Sequence, residues 1–291
     1  MLHRTRAGRF IDRLNAAVLL VVAGSMVFPF FYIFAVSFSS LEDVIRNDLL
    51  LWPETWVTDA YRYILGSEPF IRSFFVTVLV TVLGTLVNLA FTATMAYGLS
   101  RPIYGRRILL FLVVFTLLFS AGLIPTYMVV KATGLLDSIW SLILPVAISP
   151  FNLIVMRQFF LRIPEELHEA AILDGANHLQ IFWRIILPLS KPALAAFSLF
   201  YAVGHWNNYF SAILYVNDPA KWPLQVVLRQ IVIVNEPKAA LQGGQQMIHN
   251  PPPPETVQMA AILLTTLPIL FIYPFLQKYF VKGVMLGSVK E

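Results

Sequence analysis

Three carboxylates and a histidine, Glu165, Glu166, His168 and Glu169, fall inside one short stretch of RIPEELHEAAILDGANHLQIFWRIILPLSKP, residues 162–192. Paired carboxylates with a histidine are what acid–base hydrolysis at a membrane interface would use. Here their histidine shares the same short stretch and no metal-ligand spacing accompanies them, so a catalytic site is a poor fit. A second grouping is HWNNYF at 205–210. His205 reads either as a proton relay or as a hydrogen-bonded packing residue. Trp206, Asn207, Asn208 and Tyr209 offer the aromatic and amide groups that bind sugars. The alternative for them is packing and interhelical ties, each tie worth about 0.6 to 2 kcal/mol in a membrane.

The elements that would position these groups are membrane helices. The 291 residues are 58% hydrophobic and 13% charged, with mean hydropathy +0.71, whereas a soluble domain carries about a quarter charged residues. Apolar runs long enough to cross about 30 Å of hydrocarbon are expected near 15–38, 73–99, 108–129, 139–160, 193–215 and 256–280. A basic start, HRTRAGRF, precedes the first. That run exceeds a signal-peptide core of about 7–15 residues, so it reads as a retained span. The net charge of +5 is dispersed at span ends and forms no aromatic-interleaved patch, which argues against nucleic acid. With no cysteine, disulfides, thiolate metal sites and thiol catalysis are excluded.

Sidedness follows from the basic residues. Arg4, Arg6, Arg9, Arg13, Arg101, Arg106, Arg107, Arg157, Arg162, Arg184, Lys191, Lys278, Lys282 and Lys290 fall on one side. Arg46, Arg62, Arg72, Lys131, Lys221, Arg229 and Lys238 fall on the other, so the first side is expected to be cytoplasmic, with both termini and the 162–192 loop. Outside lie the loops 39–72, where Trp52 and Trp56 suit the interface, and 216–255, ending in LQGGQQMIHNPPPPE. The proline run reads as a stiff polyproline II spacer or as part of a contact with an outside partner.

Neither ion coupling nor ATP hydrolysis has its usual residues here. Segments 73–100, 108–130 and 139–156 carry no Asp, Glu, Lys, Arg or His, where a proton- or ion-coupled carrier needs somewhere for its ion to bind. There is no phosphate-cradling G-x-x-x-x-G-K-[ST] either. Energy would have to arrive from a separate subunit through a rigid handle. The 162–192 loop has that form: Pro164 starts a helix, Glu165 and Glu166 sit at its positive end, and Leu167, Ala170 and Ala171 fall together at i, i+3 and i+4. The two alanines make a nearly smooth face that another protein's groove could close over. Asp174-Gly175 then ends that helix, and Asn177 caps a second one containing Phe182 and Ile185 before Pro188. An ordinary amphipathic surface helix would satisfy the same local signals.

Glu169-Ala170-Ala171, three residues, Gly175, then Ile185-x-Leu187-Pro188 resembles the EAA loop of permease subunits in binding-protein-dependent ABC importers. HWNNYF and the tail FVKGVMLGSVKE (280–291) are similar to those of the carbohydrate-importing branch that includes the maltose permease pair, and within it to permeases for oligosaccharides or polysaccharide fragments such as alginate. The resemblance implies an all-α integral membrane protein of type I importer fold in a bacterial cytoplasmic membrane, a single six-helix permease domain. It also implies a second homologous permease, two ATPase subunits that carry the ATP and Mg, and an extracytoplasmic solute-binding protein, with no cofactor in this chain. Glu169, Ala170, Ala171, Asp174, Gly175 and Pro188 would then couple to the ATPase, with Lys282, Gly283 and Gly287 at the same interface. His205, Trp206, Asn208 and Tyr209 would line the substrate pathway, and Gln242, Gly243, Gly244 and Gln245 would meet the binding protein. A passive facilitator shares the lack of intramembrane charge but has no use for the EAA segment.

Overall fold

The computed structural model describes residues 6–46, 49–234, 241 and 252–288. These residues are helical for most of their length, with extended pairing confined among them to one bridge between Ser39 and Trp56. In chain order come α1 (Arg6–Ser37), α2 (Leu41–Arg46), α3 (Asp59–Leu65), α4 (Glu68–Ser100), α5 (Arg106–Leu118) and α6 (Leu123–Ala132). Two 3-10 turns, Ile139–Leu142 and Leu144–Val146, lead into α7 (Pro150–Leu161). Next follow α8 (Glu165–Leu173), α9 (His178–Ile181), a π turn (Phe182–Ile186), α10 (Leu187–Leu189), α11 (Lys191–Trp206) and α12 (Phe210–Tyr215). A 3-10 turn (Pro219–Lys221), α13 (Leu224–Val232) and α14 (Pro254–Ser288) complete the order.

Three helical stretches are long and apolar enough to cross a membrane unaided: Phe10–Ser37, Glu68–Ser100 and Pro254–Ile272. Counting two bent helix pairs as spans raises the number among the described residues to five. The run expected at 108–129 is interrupted: α5 stops at Leu118 and α6 restarts at Leu123, after Gly122 at φ +85°. The run expected at 139–160 bends by 54° between Val146 and Pro150. Pro150 lacks the N–H that would bond Val146 C=O one turn back, so a continuous helix is forbidden there. The run expected at 193–215 is divided into α11 and α12 by residues 207–209. Each break is only three or four residues long, too short to register in a hydropathy window.

The chain contacts divide into two units. In the unit of residues 1–71 and 228–266, an aromatic cluster forms around Phe38, whose ring stacks on Tyr61 at 4.6 Å and lies 5.6 Å from Trp56. Asp43 ties the same loop by accepting the Thr55 N–H at 2.9 Å, and that backbone bond holds its carboxyl below the ordinary value.

The unit of residues 72–227 and 267–291 has two apolar cores. One packs the C-terminal half of α4 (Ala93, Ala96, Tyr97, Leu99) against Leu153, Met156 and Phe160 of α7 and against Ala171, Ile181 and Phe182. The other packs Val80 of α4 against Val130, Leu142, Ile143, Ala212, Tyr215 and Val226. Between those two stretches of α4, Asn88 and Thr92 are fully buried and polar.

Candidate functional site

The segment 162–192 folds as two short helices joined by a turn that satisfies its own backbone. At the end of α8, Gly175 takes φ +81°, the left-handed conformation in which a side chain is strained. Its N–H donates to Ile172 C=O at 2.9 Å, and the Ala176 N–H donates to Ala171 C=O at 2.9 Å. That pair of bonds is the Schellman motif, which closes a helix on its own free carbonyls. Asn177 then opens α9 with a capping box: its Oδ1 accepts the Gln180 N–H at 2.8 Å, and Gln180 Oε1 accepts the Asn177 N–H at 2.9 Å. Further on, Pro188 has no N–H to offer Arg184 C=O and its ring would crowd that carbonyl. The wide π turn over Phe182–Ile186 gives it room.

The module is fixed to α4. Arg101, one residue past the end of α4, donates from Nη1 to both carboxylate oxygens of Glu165, at 2.8 and 2.9 Å, while lying 5.4 Å over the Tyr97 ring. Arg157 Nε caps Leu99 C=O at 2.8 Å, placing a second cation at the negative end of α4. His168, 6% exposed, faces inward, and its ring stacks on that of His178 at 5.6 Å. Burial, with Arg101 next in effect, holds the His168 imidazole below its ordinary pKa.

The outward face differs from the smooth one expected of Leu167, Ala170 and Ala171. Ala171 is 8% exposed and belongs to the core, so it does not share a free face with Ala170. What projects instead is the row Glu166, Glu169, Ala170 and Leu173, with Leu173 88% exposed, beside exposed Ile172, Leu179 and Trp183. Asp174, Gly175 and Pro188 are also exposed. Leu173 and the anchor Arg101 were missed by motif reading. Leu173 lies inside the motif's variable gap, and Arg101 is 64 residues from its partner.

The HWNNYF residues separate. His205 is buried, its Nε2 lies 3.4 Å from Asn88 Oδ1, and its ring occupies a notch at Gly84, where an added Cβ would approach the ring to 2.5–2.8 Å. Trp206 is buried edge-on to Phe74 at 6.2 Å and lines a small apolar crevice with Thr81, Leu199 and Pro268. Asn207 is exposed and donates to Val203 C=O at 2.9 Å. Half-buried Asn208 caps α12 by accepting the Ser211 N–H at 3.2 Å, and Tyr209 is exposed. The structure therefore joins His205 to α4 and leaves Tyr209 facing outward. It also supplies polar groups that the sequence reading passed over: Asn88, Thr92 and Tyr201. Their signal is the spacing of Ser73, Thr77, Thr81, Thr85, Asn88 and Thr92 along one side of α4.

Lys282, Gly283 and Gly287 fall on the backbone of α14, and their side-chain surroundings lie outside the described residues. So do Gln242, Gly243, Gly244 and Gln245.

The helix–turn–helix module of 162–192 is thus bonded to the end of a membrane-length helix. The chain belongs to the family of binding-protein-dependent transport system inner membrane components, whose model matches residues 91–286. It is 50% identical over 290 residues to Protein LplC of Bacillus subtilis (strain 168), covering 99% of this chain and 98% of that one. It is 52% identical over 285 residues, 97% of this chain and 99% of that one, to the polygalacturonan/rhamnogalacturonan transport system permease protein YtcP of the same organism. Among solved structures, a chain of a bacterial ABC transporter involved in the import of the acidic polysaccharide alginate matches with TM-score 0.89 at 37% identity, covering 96% of this chain and 100% of that one. The chain is thus a multi-pass inner-membrane permease component and not an enzyme, with ATP hydrolysis on a separate subunit.

Proposed function

We propose that this chain is one of two homologous permease subunits enclosing a pathway for an acidic oligosaccharide, driven by two ATPase subunits and supplied by an extracytoplasmic binding protein. The carrying observation is the α8–α9 module, internally satisfied and fastened to α4 through Glu165 and Arg101. A rigid module on a long helix delivers a push without absorbing it. Its outward row, Glu169, Ala170 and Leu173, is the face we assign to a cleft of the ATPase, with Lys282, Gly283 and Gly287 nearby. Trp206, Asn208 and Tyr209 are assigned to the pathway, and the 216–255 loop, with Gln242 to Gln245, to the binding protein.

Six crossings with both termini cytoplasmic fit this reading. The three long helices supply three; α5 with α6, the 3-10 turns with α7, and α11 with α12 supply the others. The bias of basic residues supports the orientation. For the substrate, the relatives that import polygalacturonan/rhamnogalacturonan and alginate support an acidic sugar.

The test is a reconstituted transporter with binding protein loaded with oligogalacturonate. Glu169→Lys should leave the complex assembled while reducing sugar-stimulated ATP hydrolysis by about tenfold or more, the effect of about 1.4 kcal/mol at the docked face. Full stimulation in the Lys variant would overturn the coupling assignment.

A further inference from the structure

The polar layer in the middle of α4 has a geometry that packing alone does not require. Pro150 removes the donor for Val146 C=O, and a bare carbonyl at membrane depth is costly. Asn88 Nδ2 fills that vacancy, donating to Val146 C=O at 2.9 Å. On the far side of the same break, Ser149 begins α7 by capping Asn152 N–H at 3.4 Å. The Ser149 N–H in turn donates to the Tyr201 hydroxyl at 3.4 Å, and that hydroxyl shares a 2.7 Å hydrogen bond with Thr92. Asn88 and Thr92 are one turn apart on one face of α4. A single helix therefore holds the chain on both sides of its 54° bend, at Val146 directly and at Ser149 through Tyr201.

We propose that Asn88 and Tyr201 are positioning residues that tie the two halves of the broken 139–161 span to α4, so that a displacement delivered to α4 re-angles the break and moves the substrate path. The proposal rests on the permease reading above and adds to it a route through named atoms. Three features argue for motion at this layer. Asn88, Thr92 and Tyr201 are all buried, so a partner lost here is costly. Asn88 and Thr92 lie between the stretches of α4 that enter the two apolar cores, and Tyr201 belongs to the first of them, so the layer joins the cores. Its bonds are also unequal. The Asn88–Val146 and Thr92–Tyr201 bonds are 2.9 and 2.7 Å, while the contacts of Tyr201 with Ser149 and of His205 with Asn88 are both 3.4 Å. The long pair would yield first. α4 is unbroken from Glu68 to Ser100 and Arg101 at its end is held by Glu165, which is the route by which a displacement of α8 would reach Asn88 and Thr92.

The readout that separates positioning from simple stability is the number of sugars transported per ATP hydrolysed in the reconstituted transporter with loaded binding protein. Tyr201→Phe keeps the ring and removes the hydroxyl. It should lower that ratio about threefold, the weight of one hydrogen bond between membrane helices, while assembly is retained. Thr92→Val should reproduce the loss and Thr92→Ser should restore the native ratio. An unchanged ratio in Tyr201→Phe and Thr92→Val, or transport and hydrolysis falling in proportion with the amount of assembled complex, overturns the proposal. Absence of sugar-stimulated hydrolysis in the unsubstituted transporter would fail the permease reading itself.

Discussion

His168 shows how one buried residue can make the α8–α9 module sensitive to acid. Its ring is buried against the stacked His178, and the charged groups around it are Arg101 at the end of α4 and Glu165 and Glu169 on its own helix. Burial lowers its pKa in the folded protein, so the fold favours the neutral ring. The stability this contributes is present above the unfolded value of about 6.5 and is lost as pH falls through the lower folded value. Thermal stability of the purified complex should therefore fall as pH drops below about 6.5, and His168→Asn should flatten that limb. An identical acid limb in the two proteins would remove His168 from the account. The residue-scale reading of His205 also narrows, since its ring fills the Gly84 notch and faces the amide of Asn88 rather than a carboxylate partner. That geometry favours the packing alternative over a proton relay.

At the scale of elements, the turn after α8 is governed by backbone and not by space. A Cβ at Gly175 would meet nothing within 4 Å, yet φ is +81°. Gly175→Ala should cost about 1 to 2 kcal/mol, and Gly175→Asn less, because asparagine tolerates the left-handed region. Thermal unfolding of the purified complex should rank glycine above asparagine above alanine; equal melting for all three would mean that the turn relaxes. Elements of this kind are legible from sequence because their causes are local: Gly175, Asn177 and Pro188 each act within a few residues. The face of α8 was legible only in part. Spacing places Ala170 and Ala171 near each other, but which of them meets the core depends on α4 and α7, distant in sequence. Likewise Pro150 announces a break, while the amide that satisfies the freed Val146 carbonyl comes from Asn88, 58 residues before Val146. The interruption at residues 119–122 escaped because FSAG is apolar enough to pass as a span interior.

For the whole molecule, the family and the relatives define a part within a larger machine, and delivery should be separable from coupling. Replacing residues 239–250 with a Gly-Ser linker of equal length should leave basal ATP hydrolysis intact and weaken its stimulation by loaded binding protein. Unchanged stimulation would reduce that loop to a spacer. The composition that identified a membrane protein also bears on the substrate. With no lysine or arginine in 73–100, 108–130 or 139–156, these stretches offer an acidic sugar no ion pair.

Helix α1 follows a different rule from the rest. Its apolar stretch Phe10–Ser37 is 28 residues long, and the most apolar window within it has no buried residue. At 1.5 Å per residue it is about 42 Å long, against about 30 Å of hydrocarbon. No described residue of its own fold covers that window, so its neighbours come from outside this chain, and a stretch this much longer than the hydrocarbon leans or overhangs to fit.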